Sequence, residues 1–457
     1  MNNLFNIGYS GMRASQTQLN VAALNTANMA TAGYTRQRVE QSAISPSGQS
    51  GFNSGNGVAV TSIRRMADQF LTGQVWRANT NANFYATSQN MLSQLETLLG
   101  STTSGLGDGL DSLFSSLSGA TEKPENQAMR QDVLTNASQL ALRFNKMQEF
   151  ISKQRSDIQT QQQNTVNSIN MLSGNIAEYN KKITESEALG TDTSILRDQR
   201  DELVKELSGY VDVRINESSD GSYTLSLSSG QPLVAGSTAG KLSLQRDAQG
   251  NMAMSLSLSS ATFQVEMDCG GTLGGLHDYE SGTLSEMSDS IMGMAKAMAE
   301  AFNAQQRAGY DLQGEPGKDL FIFDPSNPNG MLQLTDINWD ELAFSADPDA
   351  TGNNENLKRL IEIANQSMDI PGMGNTTLSN ASASLVSTVG IKSRENQTNL
   401  EAAVALLTQA ENERNNYSGV YDDEEAINII VYTKAYQSNM KIIATGDQIF
   451  SDLLALF

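Results

Sequence analysis

Cysteine is nearly missing from this sequence. Cys269 is the only one in 457 residues, so no intramolecular disulfide can form. Histidine is as scarce, with His277 alone. A His-Glu-x-x-His helix cannot be written, which excludes the commonest zinc-protease site. A Ser-His-Asp arrangement would have to use His277, which follows the glycines at 270, 271, 274 and 275. That glycine run departs from Gly-x-Gly-x-x-Gly spacing and has no basic neighbour to hold a phosphate. It is expected to be a turn, with His277 facing solvent. Asp422 to Glu425 form an acidic run, but it lacks the glycine-punctuated spacing of a calcium loop. No catalytic residue, metal site or cofactor is expected.

Long apolar runs are also lacking. Nothing approaches the roughly 20 residues needed to cross a bilayer. The first residues, Met-Asn-Asn-Leu-Phe-Asn-Ile, contain no basic segment leading into an apolar core, so no cleavable secretory signal is expected. Charged residues make up only 18% of the chain, and acids outnumber bases to a formal charge of -21. So acidic a chain repels nucleic acid and anionic lipid, and neither is an expected partner. The charge is uneven. Residues 1–70 carry Arg13, Arg36, Arg38, Arg64 and Arg65 against only Glu40 and Asp68. Residues 411–457 carry eight acids against Arg414, Lys434 and Lys441. Opposite signs at the two ends suggest that the ends lie together.

What the sequence does have is periodicity. Phe5, Gly8, Met12, Ser15, Leu19, Ala22, Thr26 and Met29 follow an unbroken three-four spacing, a heptad stripe. Its small members, Gly8, Ser15 and Ala22, let another helix approach closely. Gly8 and Gly11 each cost such a helix about 0.5–1 kcal/mol, so it should be disordered in the monomer and ordered by packing. The last segment repeats the device. Ala426, Ile430, Thr433, Tyr436, Met440, Ile443, Asp447, Phe450, Leu454 and Phe457 form one stripe, and Ile442, Gly446, Ile449, Leu453 and Leu456 a second. A helix apolar over so much of its circumference needs several neighbours. The acids at Asp422 to Glu425 are expected to cap its first turn and complement its dipole.

Between the ends lies one very long helical pattern, from about Glu125 to Ile183, with Gly174 its expected bend. Segments 76–99, 284–306 and 378–409 are its candidate partners. From Val211 to Gly275 the period changes to two: Val211 to Ile215, Tyr223 to Leu227, Leu242 to Leu244, Met252 to Leu258 and Phe263 to Val265 alternate. This is expected to be a small antiparallel β domain. The fold class is therefore mainly α with a β insertion. It comprises terminal coiled-coil helices (1–70 and 411–457), an elongated helical rod bundle (71–207 and 283–410) and a β-rich outer domain (208–282).

Several segments carry a resemblance. Ser10-Gly11-Met12-Arg13-Ala14-Ser15-Gln16, then Asn25-Thr26-Ala27-Asn28, then Thr31-Ala32-Gly33-Tyr34-Thr35-Arg36-Gln37 resemble the N-terminal signature of the flagellar axial proteins, the family of rod, hook and hook-associated proteins. Ser10, Gly11, Asn28, Gly33, Tyr34, Arg36 and Gln37 are its signature residues. In order, Gly55 to Val60 resembles the hairpin after the signature in its hook-associated members, Leu196 to Leu203 (with Asp198-Gln199-Arg200-Asp201) a helix, Gly271 to Leu276 a β-to-helix return, Phe302 to Gln306 with Gly309 to Asp311 a central helix and its exit, and Ser418 to Val420 with Asp423 to Glu425, then Tyr436-Gln437, the start of the C-terminal helix. The resemblance implies a structural, non-enzymatic protein at the hook–filament junction, exported to the flagellum without a cleavable signal. It implies assembly with copies of itself, the hook protein, a second hook-associated protein and the filament, and an export chaperone on the C-terminal helix. Another axial role, as second junction protein, hook protein or filament protein, is the alternative. Expected assembly residues are Phe5, Met12, Leu19, Ala22 and Met29 at one end. At the other they are Ile430, Tyr436, Met440, Ile443, Phe450, Leu453, Leu454 and Phe457.

Overall fold

A computed structural model describes residues 2–45, 55–99, 105–246, 252–327 and 330–455. The chain opens with α1 (Asn2–Ala27), a hairpin of β1 (Gln37–Ala43) and β2 (Val58–Arg65), then α2 (Gln69–Leu99), α3 (Leu106–Gly119), α4 (Gln127–Ala188) and α5 (Ser194–Tyr210). Seven strands follow: β3 (Val213–Glu217), β4 (Tyr223–Leu227), β5 (Pro232–Ala235), β6 (Thr238–Ala239), β7 (Lys241–Arg246), β8 (Met252–Leu258) and β9 (Ala261–Val265). The chain returns through α6 (Gly271–Asp278), a π-helical turn and α7 (Ser285–Arg307). It then passes two small hairpins, β10 (Phe321–Phe323) with β11 (Leu332–Leu334) and β12 (Met368–Ile370) with β13 (Gly374–Thr376), which flank α8 (Glu355–Glu362). It ends in α9 (Leu378–Ser418) and α10 (Asp422–Leu454).

The long helical period is realised in full. α4 holds 62 residues and passes through Gly174 without interruption, so the glycine does not end the helix. Nothing crowds that glycine, and one flexible residue in so long a ladder of i to i−4 bonds does not end it. The expected partner segments are α2, α7 and α9. The glycine run is the β-to-helix return that the resemblance implies, and a turn only at its start. Gly270 and Gly271 both have positive φ, and the chain then turns directly into α6. A Cβ on Gly271 would stand 2.5 Å from the Tyr210 carbonyl carbon, so the glycine permits a close crossing that launches a helix. His277 lies on that helix, half-buried, rather than on an exposed turn.

Two compact units emerge. The first comprises residues 1–83, 166–271 and 402–457; the second comprises 84–165 and 272–401. The second is a helical core. Leu95, Leu110, Leu113, Leu140, Phe144, Ile291 and Phe302 are fully buried in it, contributed by α2, α3, α4 and α7. The first unit holds the terminal helices, the β1–β2 hairpin and both larger sheets, ordered β3-β4-β5-β6 and β7-β8-β9.

Short strands need something to satisfy their free backbone groups, because an unpaired edge is costly. Five helical asparagines do this here. Asn25 of α1 accepts the Gln37 N–H and donates to the Gln37 carbonyl, both at 3.0 Å. Asn145 does the same for Leu332, Asn170 for Leu242, Asn180 for Tyr223 and Asn303 for Phe321. In each case a side-chain amide stands where a neighbouring strand would otherwise be. The device docks each strand to its helix at a defined register.

Candidate assembly interface

The α1–α10 pair is built on small residues. Gly8, Ala14, Ser15, Val21, Ala22 and Asn25 are buried along α1. A Cβ on Gly8 would lie 2.9 Å from the Ile443 Cγ1, and one on Gly11 would lie 2.5 Å from the Asn439 Oδ1. Farther along the antiparallel pair, Phe5 packs over Gly446, whose own Cβ would be 3.3 Å from the Phe5 ring. Helix backbones can approach this closely only where side chains are absent. The partner that the small stripe admits is thus the chain's own last helix, so α1 is packed within a single copy and the expected disorder of the lone chain is corrected.

The face that α10 turns to α1 is not its most apolar one. Glu425 and Gly446 are buried, and Asn439 sits over Gly11 with its amide donating to the Ala435 carbonyl. Ile430, Met440, Phe450 and Leu454 of the expected stripe are exposed, Leu454 to 61% and Ile430 to 56%. Leu453 is also exposed, while Tyr436 and Ile443 are half-buried. On α1, Phe5, Met12 and Leu19 are half-buried and Ala22 is buried. Met29 lies beyond the helix, which ends at Ala27, and is exposed. Phe457 lies outside the described residues. Ile427 and Val431 extend the exposed apolar surface of α10.

The acidic run is the first turn of α10 itself, placed to complement its dipole, but it does not supply the cap. The N-cap is Tyr421, with no side-chain hydrogen bond to the first turn. Instead Arg36 reaches across from the start of the hairpin. It stands 2.7 Å from Glu424 and 2.8 Å from Glu425. The opposite charges of the two chain ends do meet, at this ion pair.

Segment 33–37 is pinned throughout. Gly33 takes φ of +76°, and its carbonyl accepts from Arg414 at 3.3 Å. The Tyr34 hydroxyl donates to Asn25 at 2.8 Å, and burial pushes its pKa up to about 12. The Thr35 N–H donates to Asp198, and the Arg36 N–H donates to the Ser418 carbonyl. Of the other signature residues, Ser10 donates to the Ile7 carbonyl and accepts the Val58 N–H, tying α1 to β2. Asn28 donates to the Leu24 carbonyl at the end of α1.

Sequence reasoning left the roles of Asp198, Asp201, Arg65 and Arg200 unassigned. Arg65 of β2 bonds Asp198 at 3.1 Å and Asp201 at 2.6 Å. Burial by itself would lower the Arg65 pKa, but Asp201 and Asp198 outweigh it and the pKa is raised. Burial lifts the Asp198 carboxyl above its usual range despite the Thr35 N–H and Arg65. The fully buried Arg200 lies over the Tyr223 ring, 3.3 Å from its centroid, and donates to Asn180 and the Gly221 carbonyl. The one available signal was the Asp198-Gln199-Arg200-Asp201 run itself, since buried charges require partners.

Both chain termini are thus long helices that close on each other and leave apolar faces outward. Residues 411–456 match the family described as flagellar basal body rod FlgEFG protein C-terminal, which defines this as a flagellar axial-type protein. Residues 92–321, half of the chain, match the family described as flagellar hook-associated protein FlgK helical domain, and the chain belongs to the FlgK family. Flagellar hook-associated protein 1 of Salmonella typhimurium (strain LT2) is 28% identical over 99% of this chain and 100% of its own length. The protein of that name from Bacillus subtilis (strain 168) is 27% identical over 97% and 96%. The fold matches the flagellar hook junction protein FlgK from Burkholderia pseudomallei with a TM-score of 0.67 and 18% identity. That match covers 74% of this chain and 99% of the other.

Proposed function

We propose that this chain is a structural component of the bacterial flagellum that self-assembles to join the hook to the filament. The observation that carries the reading is the exposed apolar face of α10. Ile427, Ile430, Val431, Met440, Phe450 and Leu454 remain in water on a helix that already has one partner. Fully burying such a side chain is worth about 1.5–3 kcal/mol, and several copies gathered together set this gain against the cost of ordering them. Full-length similarity to hook-associated protein 1 in two distant bacteria supports the junction in particular.

In this reading the chain assembles with copies of itself, with the hook protein below and with a second hook-associated protein and the filament above. Each contact joins unlike surfaces, so copies form a ring or helical row rather than a closed dimer. The segments 1–70 and 411–457 supply the assembly contacts. A chaperone covering the C-terminal helix before export fits the same face, which would otherwise aggregate. The working location is outside the cell, on the flagellum, and no catalysis is assigned. His277→Ala should leave motility unchanged.

The test is deletion of residues 1–29 or of 424–457 in a strain lacking the native protein. Each deletion should leave hooks intact and release filament subunits into the medium. Filament retained at parental level by either truncation overturns the reading.

A further inference from the structure

One sheet edge is left open where others are closed. Helical asparagines meet the backbone of Gln37, Leu242, Leu332 and Phe321. No such group meets the outer edge of β3, the first strand in the order β3-β4-β5-β6. The antiparallel register sets Arg214 opposite Ser226 and Asn216 opposite Thr224. On β4, the Tyr223 and Leu227 N–H groups point away from β3, to Asn180 and to the Gln231 carbonyl. The Ser218 N–H closes the hairpin on the Ser222 carbonyl. Successive residues of an antiparallel strand alternate between bonding the neighbour and not, so Arg214 and Asn216 are the ones bonded to β4. The N–H and C=O groups of Val213, Ile215 and Glu217 therefore face the free edge, without a hydrogen-bond partner among the described residues.

That edge borders a cleft of about 550 Å³ in the first unit, between β3 and the first turns of α2. Trp76 and Tyr223 wall it, both buried, with ring centroids 6.3 Å apart. Phe70 also lines it and is 67% exposed. Two of its three acids are committed: Asp201 pairs with Arg65, and Glu217 with Arg197 and Gln69. Burial lifts the carboxyl of the third, Asp212, above its usual range, although Arg214 and Arg77 pull it down. Arg77 and Arg214 are exposed, and neither has a hydrogen bond or ion pair among the described residues. The cleft thus presents a row of free backbone groups, an aromatic wall and two uncommitted guanidinium groups.

We propose that the β3 edge takes up one extended segment of a partner protein in which apolar and acidic residues alternate. Strand addition draws its affinity from main-chain hydrogen bonds and its selectivity from alternate side chains. Along β3, Val213 and Ile215 turn to the sheltered face, while Arg214 and Asn216 are exposed. A segment laid beside them follows the same alternation. Its apolar residues meet Val213, Ile215 and Trp76, and its acids lie near Arg214 and Arg77. An open edge invites unwanted pairing, and the two arginines select an acidic guest. The site is separate from the exposed face of α10 and does not rest on the assembly reading.

The experiment uses the purified full chain and two end-blocked heptapeptides, Val-Glu-Val-Glu-Val-Glu-Val and its counterpart with lysine in place of glutamate. In fluorescence anisotropy at low salt, the glutamate peptide should bind at least tenfold more tightly than the lysine peptide. Its binding should slow hydrogen exchange at the Ile215 and Glu217 amides and leave Arg214 and Asn216, already bonded to β4, unchanged. Ile215→Pro removes one edge donor while keeping the bonds to β4, and should weaken binding at least tenfold. Arg77→Glu combined with Arg214→Glu should do the same. Both arginines are exposed, so this variant should fold normally and carries the test if Ile215→Pro lowers the thermal midpoint. The proposal is overturned if the glutamate peptide does not bind at millimolar concentration or if both peptides bind equally. It is equally overturned if exchange at Ile215 and Glu217 is unchanged in the bound chain, or if the arginine variant binds like the parent.

Discussion

The Arg36 Nε stands 2.8 Å from the Glu425 carboxylate, joining the segment that leaves the first helix to the first turn of the last. Glu425 is 1% exposed, so little water can stand in for that partner. Removing one member of a buried pair leaves an uncompensated charge. Arg36→Ala should cost about 2–3 kcal/mol, toward the low end because Arg36 itself is partly solvated. A denaturant titration should show the loss, with Arg36→Lys falling between.

Asn25→Leu should also destabilise the first unit, by about 2–3 kcal/mol. It removes the partner of the Gln37 N–H, the Gln37 carbonyl and the Tyr34 hydroxyl at once. Asn25→Asp keeps the two acceptor contacts and turns an anion toward the Gln37 carbonyl, so it should not rescue. The shift in thermal midpoint is the measurement, and a midpoint equal to the parent's for Asn25→Asp would refute the amide's role as donor.

Two glycines should respond with opposite signs. Gly174→Ala adds a Cβ in open space within α4 and should stabilise by about 0.5–1 kcal/mol. Gly8→Leu gains a comparable helical propensity but collides with Ile443 and Ile442. Overpacking costs typically about 1–3 kcal/mol, so the clash wins and the terminal pair opens. Limited proteolysis should cut the Gly8→Leu ends sooner and leave Gly174→Ala unchanged or slower.

Cys269 should be almost unreactive in the native chain. Burial pushes its thiol up to about 12, against about 8.5 in an unfolded chain. At pH 8 the thiolate fraction is then lower by about a thousandfold. Reaction with a thiol reagent should be slow without guanidinium and fast with it. A folded pKa above the unfolded one means that the neutral thiol's contribution is fully present below about pH 8.5 and is lost as pH rises toward about 12.

Ile430→Ser combined with Phe450→Ser separates assembly from folding. Both side chains are exposed in one copy, so single-chain stability should move by less than about 0.5 kcal/mol. Filament attachment should nevertheless fall. A parallel drop in the unfolding midpoint would show that the two residues belong to the chain's own core.

The period of side chains along the sequence was enough to determine the 62 residues of α4, its helical partners α2, α7 and α9, both terminal helices and most strands between Val213 and Val265. Those patterns are local, since a helix or strand must repeat its apolar face every few residues whatever it later touches. Short elements stayed hidden. α8 and the β10–β11 and β12–β13 hairpins are too brief for a period, and the mostly polar β1–β2 hairpin was legible only through the resemblance at Gly55 to Val60. Only the tertiary structure decided which side of α10 meets α1, that Arg36 rather than a cap takes the acidic turn, and that Asp198 and Asp201 hold Arg65. It also decided that the backbone at Gly271 crosses close to Tyr210 as the helix starts. Each of these depends on groups brought together from distant parts of the chain. Burial then sets the consequence, because a charge or amide removed from water must find a partner there, and no local pattern names which one.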